Sequence, residues 1–374
     1  MRIGLDARLI YYQRAGIASY VLGLLQGLAT LGTCHEYVVL QSRKDHETLP
    51  LPPNFRRRSI WTPCHHRFER QALAVEILGL GLDVLHSPDF IPPARLVGRR
   101  KSVITVHDLA YLKYPEVLTP ESQRYYGQIG PAVEEADAVI AVSENTKRDL
   151  MALLDAPEEK IVVIPEAPDA GYQPLADPIV VARVLDRYRL TSPYFLFVGT
   201  IEPKKNLKSL IQSYASFRQD GRASNGLPDL VVAGRKGWLY SDVFELVGQL
   251  GLQKHVHFLG SVASSDLVML YNGALALVYP SIYEGFGLPI LEAMACGTPV
   301  ITSNVSSLPE VAGEAALSVD PQDVDALSLA LNRIWSSHEL RAELRRKGLA
   351  RARLFSWEKT ARATLQVYES VAAR

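Results

Sequence analysis

Short apolar runs alternate with helix-compatible segments along the whole chain, and this alternation is the feature that most limits its fold. The first half contains RIGLDARL, SVITVHDLA and DAVIAVS, and the second half contains YFLFVGT, LVVAGR and ALALVYPS. Strands that alternate with helices form parallel sheets that are buried on both faces. The pattern therefore predicts an α/β fold with doubly wound parallel sheets.

The length of the chain predicts two domains. It has 374 residues, and a single hydrophobic core usually stops growing near roughly 250 to 300 residues. The proline-rich stretch EAPDAGYQPLADP, residues 166–178, interrupts the periodicity, although it could also be a long loop within one domain. We predict a first domain over 1–170 and a second over 171–355. Residues 356–374 form a terminal helix, capped by Ser356, that could dock on either domain and is expected to pack back toward the first.

Composition excludes several classes of protein. Forty basic residues balance forty acidic residues, so there is no general attraction to nucleic acid and any anion site must be local. Cys34, Cys64 and Cys296 lack the spacing of a zinc site or a disulfide framework. The N-terminal stretch MRIGLDARLI lacks the apolar core of a signal peptide, and no apolar run reaches the roughly 18 to 20 residues of a membrane span. These features predict a reduced, cytoplasmic protein.

The stretch EGFGLPILE, residues 284–292, predicts an anion-binding turn. It follows the apolar run that ends at Ser281, and it leads into a helix that starts near Pro289 and stops before Gly297. Two glycines let the backbone approach a ligand, and a helix N-terminus offers unpaired amides and a positive dipole end. We expect the anion to contact the amides of Gly285, Phe286, Gly287 and Leu288.

The two acids of this stretch have different predicted roles. Glu292 lies about one turn into the helix and could accept both hydroxyls of a ribose, whereas Glu284 precedes the turn and faces the group beyond the phosphates. Glu292 could instead only complement the helix dipole, for about 0.3 to 1 kcal/mol, with Glu284 solvated. A carboxylate pair about 5 to 10 Å apart could also hydrolyse a glycoside, but that reaction leaves the amides unexplained.

A second phosphate signal is the loop VGTIEPKKNLKSLI, which follows a predicted strand. A lysine aimed at a phosphate makes a charge-assisted bond of roughly 1.5 to 3 kcal/mol. Lys204 and Lys205 point in different directions, so we expect one of them to reach the ligand and the other to be solvated. Arg235 follows the next strand and could add a charge. The loop is neither a Walker A sequence nor a GxGxxG fingerprint.

Several motifs in order resemble one family. EGFGLPILE resembles the E-x7-E motif of the retaining glycosyltransferases of family 4, which have the GT-B fold. GLDARLIYYQRAGIASY, HSPDFIPP, VITVHDL, VSENTKRDL, VGTIEPKKNL and SLPEVAG extend the similarity over nearly the whole chain. The chain looks most like the bacterial mannosyltransferases that elongate surface polysaccharides. The resemblance implies two Rossmann-like, doubly wound parallel-sheet domains that face each other across a cleft.

The resemblance also implies residue roles. The second domain would hold a nucleotide-diphosphate sugar, and the first would hold the acceptor, a saccharide or a lipid-linked saccharide. Lys205 matches the family's phosphate-binding lysine, Glu284 the acid near the transferred sugar, and Glu292 the acid on the ribose. His107 matches a histidine that contacts the donor sugar from the first domain.

Further positions are implied, with two departures from the family. Gly16 matches a glycine-loop position that closes on the donor phosphates, although the usual glycine pair is here Ala15-Gly16. Many relatives have arginine after the glycine of the VGT strand, and this chain has Thr200 after Gly199, so Lys204 or Arg235 would supply the second cation. The backbone of the loop after the FLG strand would bind the base, which corresponds to Gly260, Ser261 and Val262.

The implied reaction needs no metal and no cofactor. The D-x-D sequence at Asp323–Asp325 is better explained as a helix cap than as a metal site. Retention is ascribed in this family to attack from the leaving-group face, without a covalent nucleophile. GDP-mannose is the first choice of donor and a UDP-sugar the second. A nucleotide-sugar epimerase and a non-catalytic sugar-nucleotide-binding protein remain alternatives.

Basic clusters in the first half raise the question of a membrane surface. They lie at Arg56–Arg58, His65–Arg67 and Arg99–Lys101. If they share a face, that face could rest weakly on anionic lipid at the inner membrane and reach a lipid-linked acceptor. Otherwise they are scattered, solvated charges.

Overall fold

The computed structural model describes residues 1–12, 16–47, 49–94, 100–114, 125–190, 193–220, 226–237 and 240–374. Two compact units make up the chain. Met1–Ala167 joins Ser356–Arg374 in the first unit, and Pro168–Phe355 forms the second. Ala15 of the predicted glycine loop and Arg99 of the third basic cluster lie outside the described residues.

The first unit contains a seven-stranded parallel sheet in the order β3-β2-β1-β4-β5-β6-β7. Its strands are β1 (Arg2–Asp6), β2 (Glu36–Ser42), β3 (Phe55–Ile60), β4 (Val84–Ser87), β5 (Lys101–Val106), β6 (Ala138–Ala141) and β7 (Ile161–Val163). Its helices before the chain leaves the unit are α1 (Leu9–Tyr12), α2 (Ile17–Thr30), α3 (Glu69–Glu76), α4 (Ala110–Lys113), α5 (Ile129–Glu135) and α6 (Glu144–Leu154), with short 3-10 turns at Leu78–Leu80 and Glu158–Lys160.

The second unit contains a six-stranded parallel sheet in the order β10-β9-β8-β11-β12-β13. Its strands are β8 (Tyr194–Val198), β9 (Asp229–Ala233), β10 (Val256–Gly260), β11 (Ala276–Tyr279), β12 (Val300–Ser303) and β13 (Leu317–Val319). Its helices are α7 (Pro178–Arg187), α8 (Leu207–Asp220), α9 (Ser241–Gln249), α10 (Ser264–Gly273), α11 (Leu288–Cys296), α12 (Leu308–Ala312), α13 (Val324–Ser336) and α14 (His338–Ala352), with 3-10 turns at Pro203–Lys205 and Gly313–Ala315.

The predicted α/β fold with doubly wound parallel sheets is confirmed, and its cause is visible in the central strands. All four residues of β11 and the first four of β8 are buried, because helices cover both faces of the sheet. In each sheet the strand order reverses once, between β1 and β4 in the first and between β8 and β11 in the second. Such switch points leave a crevice at the carboxyl ends of the strands, where ligands bind in open α/β sheets.

The C-terminal helix, Trp357–Ala372, belongs to the first unit. Its predicted cap is confirmed, because the Ser356 hydroxyl accepts a hydrogen bond from the amide of Lys359. The Trp357 ring lies over α2 so closely that a Cβ at Gly23 would be 2.0 Å from it. Thr360 Oγ1 donates to the Pro165 carbonyl at 2.7 Å, so the helix also holds the segment where the chain leaves the unit.

The basic cluster Arg56–Arg58 lies exposed on β3, an edge strand of the first sheet. Arg56 pairs with Glu36 at 3.4 Å, so part of its charge is already balanced. Across the described residues, none of the helices combines the length and the apolarity that a membrane crossing requires. The membrane contact stays a prediction.

Gly234 allows two loops of the second unit to approach each other, and this closeness gives a test of the fold. A Cβ at Gly234 would lie 1.8 Å from the Gly199 carbonyl oxygen. Gly234→Ala is therefore expected to displace the loop after β8 and to lower the free energy of unfolding by more than about 1 kcal/mol. Denaturant unfolding measures the change. Gly248→Ala, in helix α9 with only a 3.8 Å contact, is the control, and equal stability of the two variants would contradict the packing.

Candidate active site

The carboxyl ends of β8 and β11 lie side by side and carry two loops of the candidate site. Strand β11 was predicted to continue to Ser281, but it ends at Tyr279 because Pro280 has no backbone N–H to donate to a neighbouring strand. After β8 the chain makes the turn Pro203–Lys205, and Asn206 follows with a φ of 57°. The Asn206 amide donates to the Pro280 carbonyl at 3.1 Å and thereby holds the lysine loop against the end of β11.

Lys205, Glu284 and Tyr279 form a closed hydrogen-bonded triangle. Lys205 Nζ donates to Glu284 Oε1 at 2.6 Å and to Tyr279 Oη at 2.7 Å, and Tyr279 Oη donates to the same Glu284 oxygen at 2.9 Å. An ammonium group has three donors; among the described residues two of them are engaged, by Glu284 and Tyr279, and the third is available to a ligand. The sequence analysis identified the lysine and the acid but missed their pairing and missed Tyr279.

The triangle is largely shielded from water. The side chains of Lys205 and Glu284 are 13% and 9% exposed, so the alternative of a solvated Glu284 is wrong. Burial alone would raise the pKa of Glu284, but the charges of Lys205 and Lys204 outweigh it and hold that pKa below its ordinary value. Burial, together with the nearby Glu284 charge, raises the pKa of Tyr279 well above its usual range. At neutral pH the site therefore contains a carboxylate, an ammonium and a neutral phenol.

The glycine turn is fixed by serines from the segment after β12. Ser306 Oγ donates to the Glu284 carbonyl at 2.6 Å, and Ser307 Oγ contacts the carbonyls of Glu284 and Phe286 at 2.9 and 2.8 Å. Gly287 has a φ of 113°, and a Cβ there would lie 2.9 Å from Leu308. The carbonyls of the turn are thus directed to the serines.

Helix α11 begins at Leu288, one residue before the predicted start, and no side chain caps it. The backbone N–H groups of Phe286, Gly287 and Leu288 have no hydrogen-bond acceptor within the described part of the chain. Unpaired donors at a helix start attract an anion. The helix ends at Gly297 in the left-handed conformation, as predicted.

Glu292 lies about one turn into α11 and contacts tyrosines that the sequence did not indicate. Tyr271 Oη donates to its Oε2 at 2.8 Å, and the Tyr172 ring packs edge-on against Tyr271. Burial raises the pKa of Glu292 to about 7, although hydrogen bonds from the Tyr271 and Tyr172 hydroxyls oppose the shift. Glu292 is half-buried, and its surroundings disfavour the charged form of the carboxyl group.

Other predicted donor-binding residues follow the neighbouring strands. Gly260 ends β10 with a φ of 70°, and its carbonyl accepts from the Gly234 amide at 2.8 Å. Ser261 is exposed and Val262 half-buried. These residues follow the edge strand β10, two strands away from β8.

The candidates for a second cation differ in exposure. Thr200 is half-buried and Arg235 is exposed. Lys204 is also half-buried, with its Nζ 3.8 Å from Glu202 Oε1. Lys204 adds to the positive potential at Glu284. It is therefore not the purely solvated neighbour of Lys205 that the sequence led us to expect.

In the first unit, His107 uses both ring nitrogens within the protein. Nε2 donates to the Pro88 carbonyl at 2.9 Å, and Nδ1 lies 2.8 Å from Glu166 Oε1. Burial lowers the pKa of His107, but the hydrogen bond and charge of Glu166 outweigh that effect and leave it raised. Both ring nitrogens therefore face acceptors, an arrangement that favours the protonated ring over the neutral one. Gly16, the other predicted residue of this unit, is exposed with a φ of 50° and precedes α2.

The D-x-D sequence acts as a helix cap, as predicted. The Asp323 side chain accepts from the Ala326 amide at 2.8 Å at the start of α13. Within the described ranges, no three His, Cys, Asp or Glu side chains are grouped as a metal site requires.

Comparisons with known proteins agree with this architecture. Residues 14–170 match the family model described as Glycosyltransferase Family 4, and residues 187–351 match Glycosyl transferases group 1. The O-antigen chain mannosyltransferase B of Escherichia coli is 31% identical over 99% of this chain and 100% of its own length. The O-antigen chain mannosyltransferase RfbU of Salmonella typhimurium is 32% identical over 63% of this chain and 61% of its own. Sucrose-phosphate synthase of Thermosynechococcus elongatus, at 24% identity, shares the fold with a TM-score of 0.81 over 100% of this chain and 99% of its own.

The two parallel-sheet units have the GT-B fold of glycosyltransferases. With a full-length relative above 30% identity and family models over both halves, the chain belongs to the glycosyltransferases of family 4.

The pairing of His107 with Glu166 predicts a measurable titration. Glu166→Gln is expected to lower the pKa of His107, because an amide no longer stabilises the imidazolium. The stabilisation from the wild-type pair is full below the ordinary histidine pKa of 6.5 and is lost as pH rises through the higher folded value. NMR of the His107 ring protons measures the pKa of this histidine in the wild type and in Glu166→Gln. Glu135→Gln is the control, and an unchanged His107 titration in Glu166→Gln would refute the pairing.

The raised pKa of Glu292 predicts that this acid costs stability. Between the ordinary pKa of 4.5 and about 7 the folded state binds more protons than the unfolded state, so stability falls as pH rises. Glu292→Gln removes this penalty. Its Tm relative to wild type should be higher at pH 8 than at pH 4, whereas Glu358→Gln on the exposed side of the C-terminal helix should show no such difference. A pH-independent effect of Glu292→Gln would contradict the environment described here.

Proposed function

We propose that this enzyme is a retaining mannosyltransferase that moves mannose from GDP-mannose to a saccharide hydroxyl. One observation carries the proposal: the Lys205 ammonium and the unpaired amides at the start of α11 occur at the same switch point of the second sheet. That combination suits the diphosphate of an activated sugar. Mannose is chosen because both relatives reported above are named as mannosyltransferases.

The proposed donor would span the two carboxylates of the glycine stretch. Its diphosphate would accept hydrogen bonds from the amides of Phe286 to Leu288 and from the third donor of Lys205. Glu292 would accept the ribose hydroxyls, and the tyrosine hydroxyls on its other side would hold its orientation. Glu284 would lie near the mannosyl group. Backbone groups of Gly260 to Val262 would contact the base.

The proposed reaction exchanges one bond at the anomeric carbon. The acceptor oxygen attacks that carbon, the bond to the diphosphate oxygen breaks, and the acceptor proton passes to the departing diphosphate. Lys205 and the α11 amides stabilise the negative charge that develops on this leaving group. Attack and departure occur on the same face, which gives retention without a covalent intermediate.

Hydrolysis by the carboxylate pair fits the geometry less well. Glu284 Oε1 already accepts hydrogen bonds from Lys205 and Tyr279, which lowers the nucleophilicity of this carboxylate. Glu292 accepts from Tyr271 in a separate contact. The two acids are therefore held as binding groups, and the amides at the start of α11 have a task only when a phosphate is present.

Replacing Lys205 tests the donor site. Lys205→Ala is expected to weaken GDP and GDP-mannose binding about 10- to 150-fold, the equivalent of a charge-assisted hydrogen bond of about 1.5 to 3 kcal/mol. Isothermal titration calorimetry measures the affinities, with UDP and UDP-glucose as the alternative donor. Lys208→Ala, a 50% exposed lysine that pairs with Asp242, is the control.

Two further measurements separate this outcome from misfolding and from other reactions. Lys205→Ala leaves a buried carboxylate unpaired. The double variant Lys205→Met/Glu284→Gln removes both charges, so we expect it to keep the fold and to lose donor affinity. Wild-type enzyme should release GDP only when a saccharide acceptor is added. Equal GDP affinity in wild type and both variants, or GDP release without an acceptor, would refute the proposal.

A further inference from the structure

A small cavity lies at the switch point of the first sheet, between the ends of β1 and β4. Its volume is about 10 Å³, and its walls include Asp6 at the end of β1, Arg8 two residues later, and Ser87, Pro88 and Asp89 at and just after the end of β4. This volume suits one water molecule or one hydroxyl group. The crevice at a strand-order reversal is the usual place for a ligand in such sheets, but the reaction proposed above uses none of these five residues.

Ser87 provides an unused polar group in the wall of this switch-point cavity. Its side chain is 2% exposed, and its Oγ has no hydrogen-bond partner within the described residues. A buried hydroxyl without a partner costs free energy comparable to a lost hydrogen bond. A ligand atom that both donates and accepts hydrogen bonds would satisfy it.

The charge of the cavity wall is negative. The Arg8 guanidinium is engaged by Asp6 at 2.6 Å and by Glu69 at 2.7 Å, so one cation faces two carboxylates. Asp89 adds a third carboxylate. Burial raises the pKa of Asp89, but His65, whose Nε2 lies 3.5 Å from Asp89 Oδ2, and the hydrogen bond that Tyr125 Oη donates at 2.9 Å outweigh it and leave that pKa lowered. The wall therefore attracts hydroxyl donors and repels phosphate.

We propose that the switch-point cavity binds one hydroxyl group of a neutral saccharide acceptor, with Ser87 and Asp89 as its hydrogen-bonding partners. The negative wall makes a phosphorylated sugar a poor acceptor at this position. The cavity adjoins His107, whose Nε2 donates to the Pro88 carbonyl. The inference rests on the proposed transferase function and specifies the acceptor class for it.

Filling the cavity tests the inference. Ser87→Val removes the hydroxyl and places a methyl group in the cavity, and Ser87→Ala is the smaller variant if folding suffers. Ser102→Val is the matched control, because Ser102 Oγ is also buried without a partner among the described residues but does not line the cavity. The probe is methyl α-mannobioside, a neutral disaccharide, and its binding to the full chain is followed by saturation-transfer NMR without donor.

We expect Ser87→Val to weaken mannobioside binding at least tenfold and to leave GDP affinity unchanged, while Ser102→Val changes neither. Wild-type enzyme should bind the neutral probe at least tenfold more tightly than its 6-phosphate, and Asp89→Asn should reduce this preference.

The inference is overturned if Ser87→Val binds the probe as wild type does, which would indicate a structural water only, or if the 6-phosphate binds as tightly as the neutral sugar. If the wild-type enzyme binds mannobioside in a Ser87-dependent manner but does not bind GDP-mannose, the donor proposal fails and the hydroxyl site stands.

Discussion

The candidate site depends on a buried ammonium group that has a carboxylate on one side and an open donor on the other. Lys205 Nζ lies 2.6 Å from Glu284 Oε1, and the charges of Lys205 and Lys204 hold the pKa of Glu284 below its ordinary value although burial raises it. The pair is held because Asn206 ties the lysine loop to the end of β11 and because Ser306 and Ser307 fix the turn that carries the acid. The position of the cation therefore depends on side-chain-to-backbone hydrogen bonds that fix the lysine loop and the glycine turn.

The two acids of EGFGLPILE show how local environment separates similar groups. Glu284 lies beside cations, and its pKa is held low, so it is a permanent negative charge at neutral pH. Glu292 has only tyrosine hydroxyls for partners, and burial raises its pKa to about 7. An acid that is costly to ionise does not stabilise the fold through its charge, and a ligand that donates two hydroxyl hydrogen bonds would offset that cost. The structure thus places two carboxylates in different electrostatic environments eight positions apart.

The sequence predicted the parts of the structure that depend on local pattern. Apolar runs that alternate with helical segments predicted parallel sheets covered by helices on both faces. Helix-capping preferences predicted the roles of Ser356, Gly297 and Asp323. Contacts between distant positions were missed. Lys205 and Glu284 are 79 positions apart, and His107 and Glu166 are 59 apart. No periodicity encodes such pairs, since they arise only when strand order brings the ends of different strands together. Tyr279 was missed because its sequence context is that of an ordinary buried strand residue.

The most direct test of the central claim is a crystal structure of the enzyme with bound GDP. We expect a phosphate oxygen within hydrogen-bonding distance of Lys205 Nζ and of the backbone nitrogens of Gly287 or Leu288, with Lys205 still paired to Glu284. A diphosphate bound away from the start of α11, with the third Lys205 donor directed elsewhere, would contradict it.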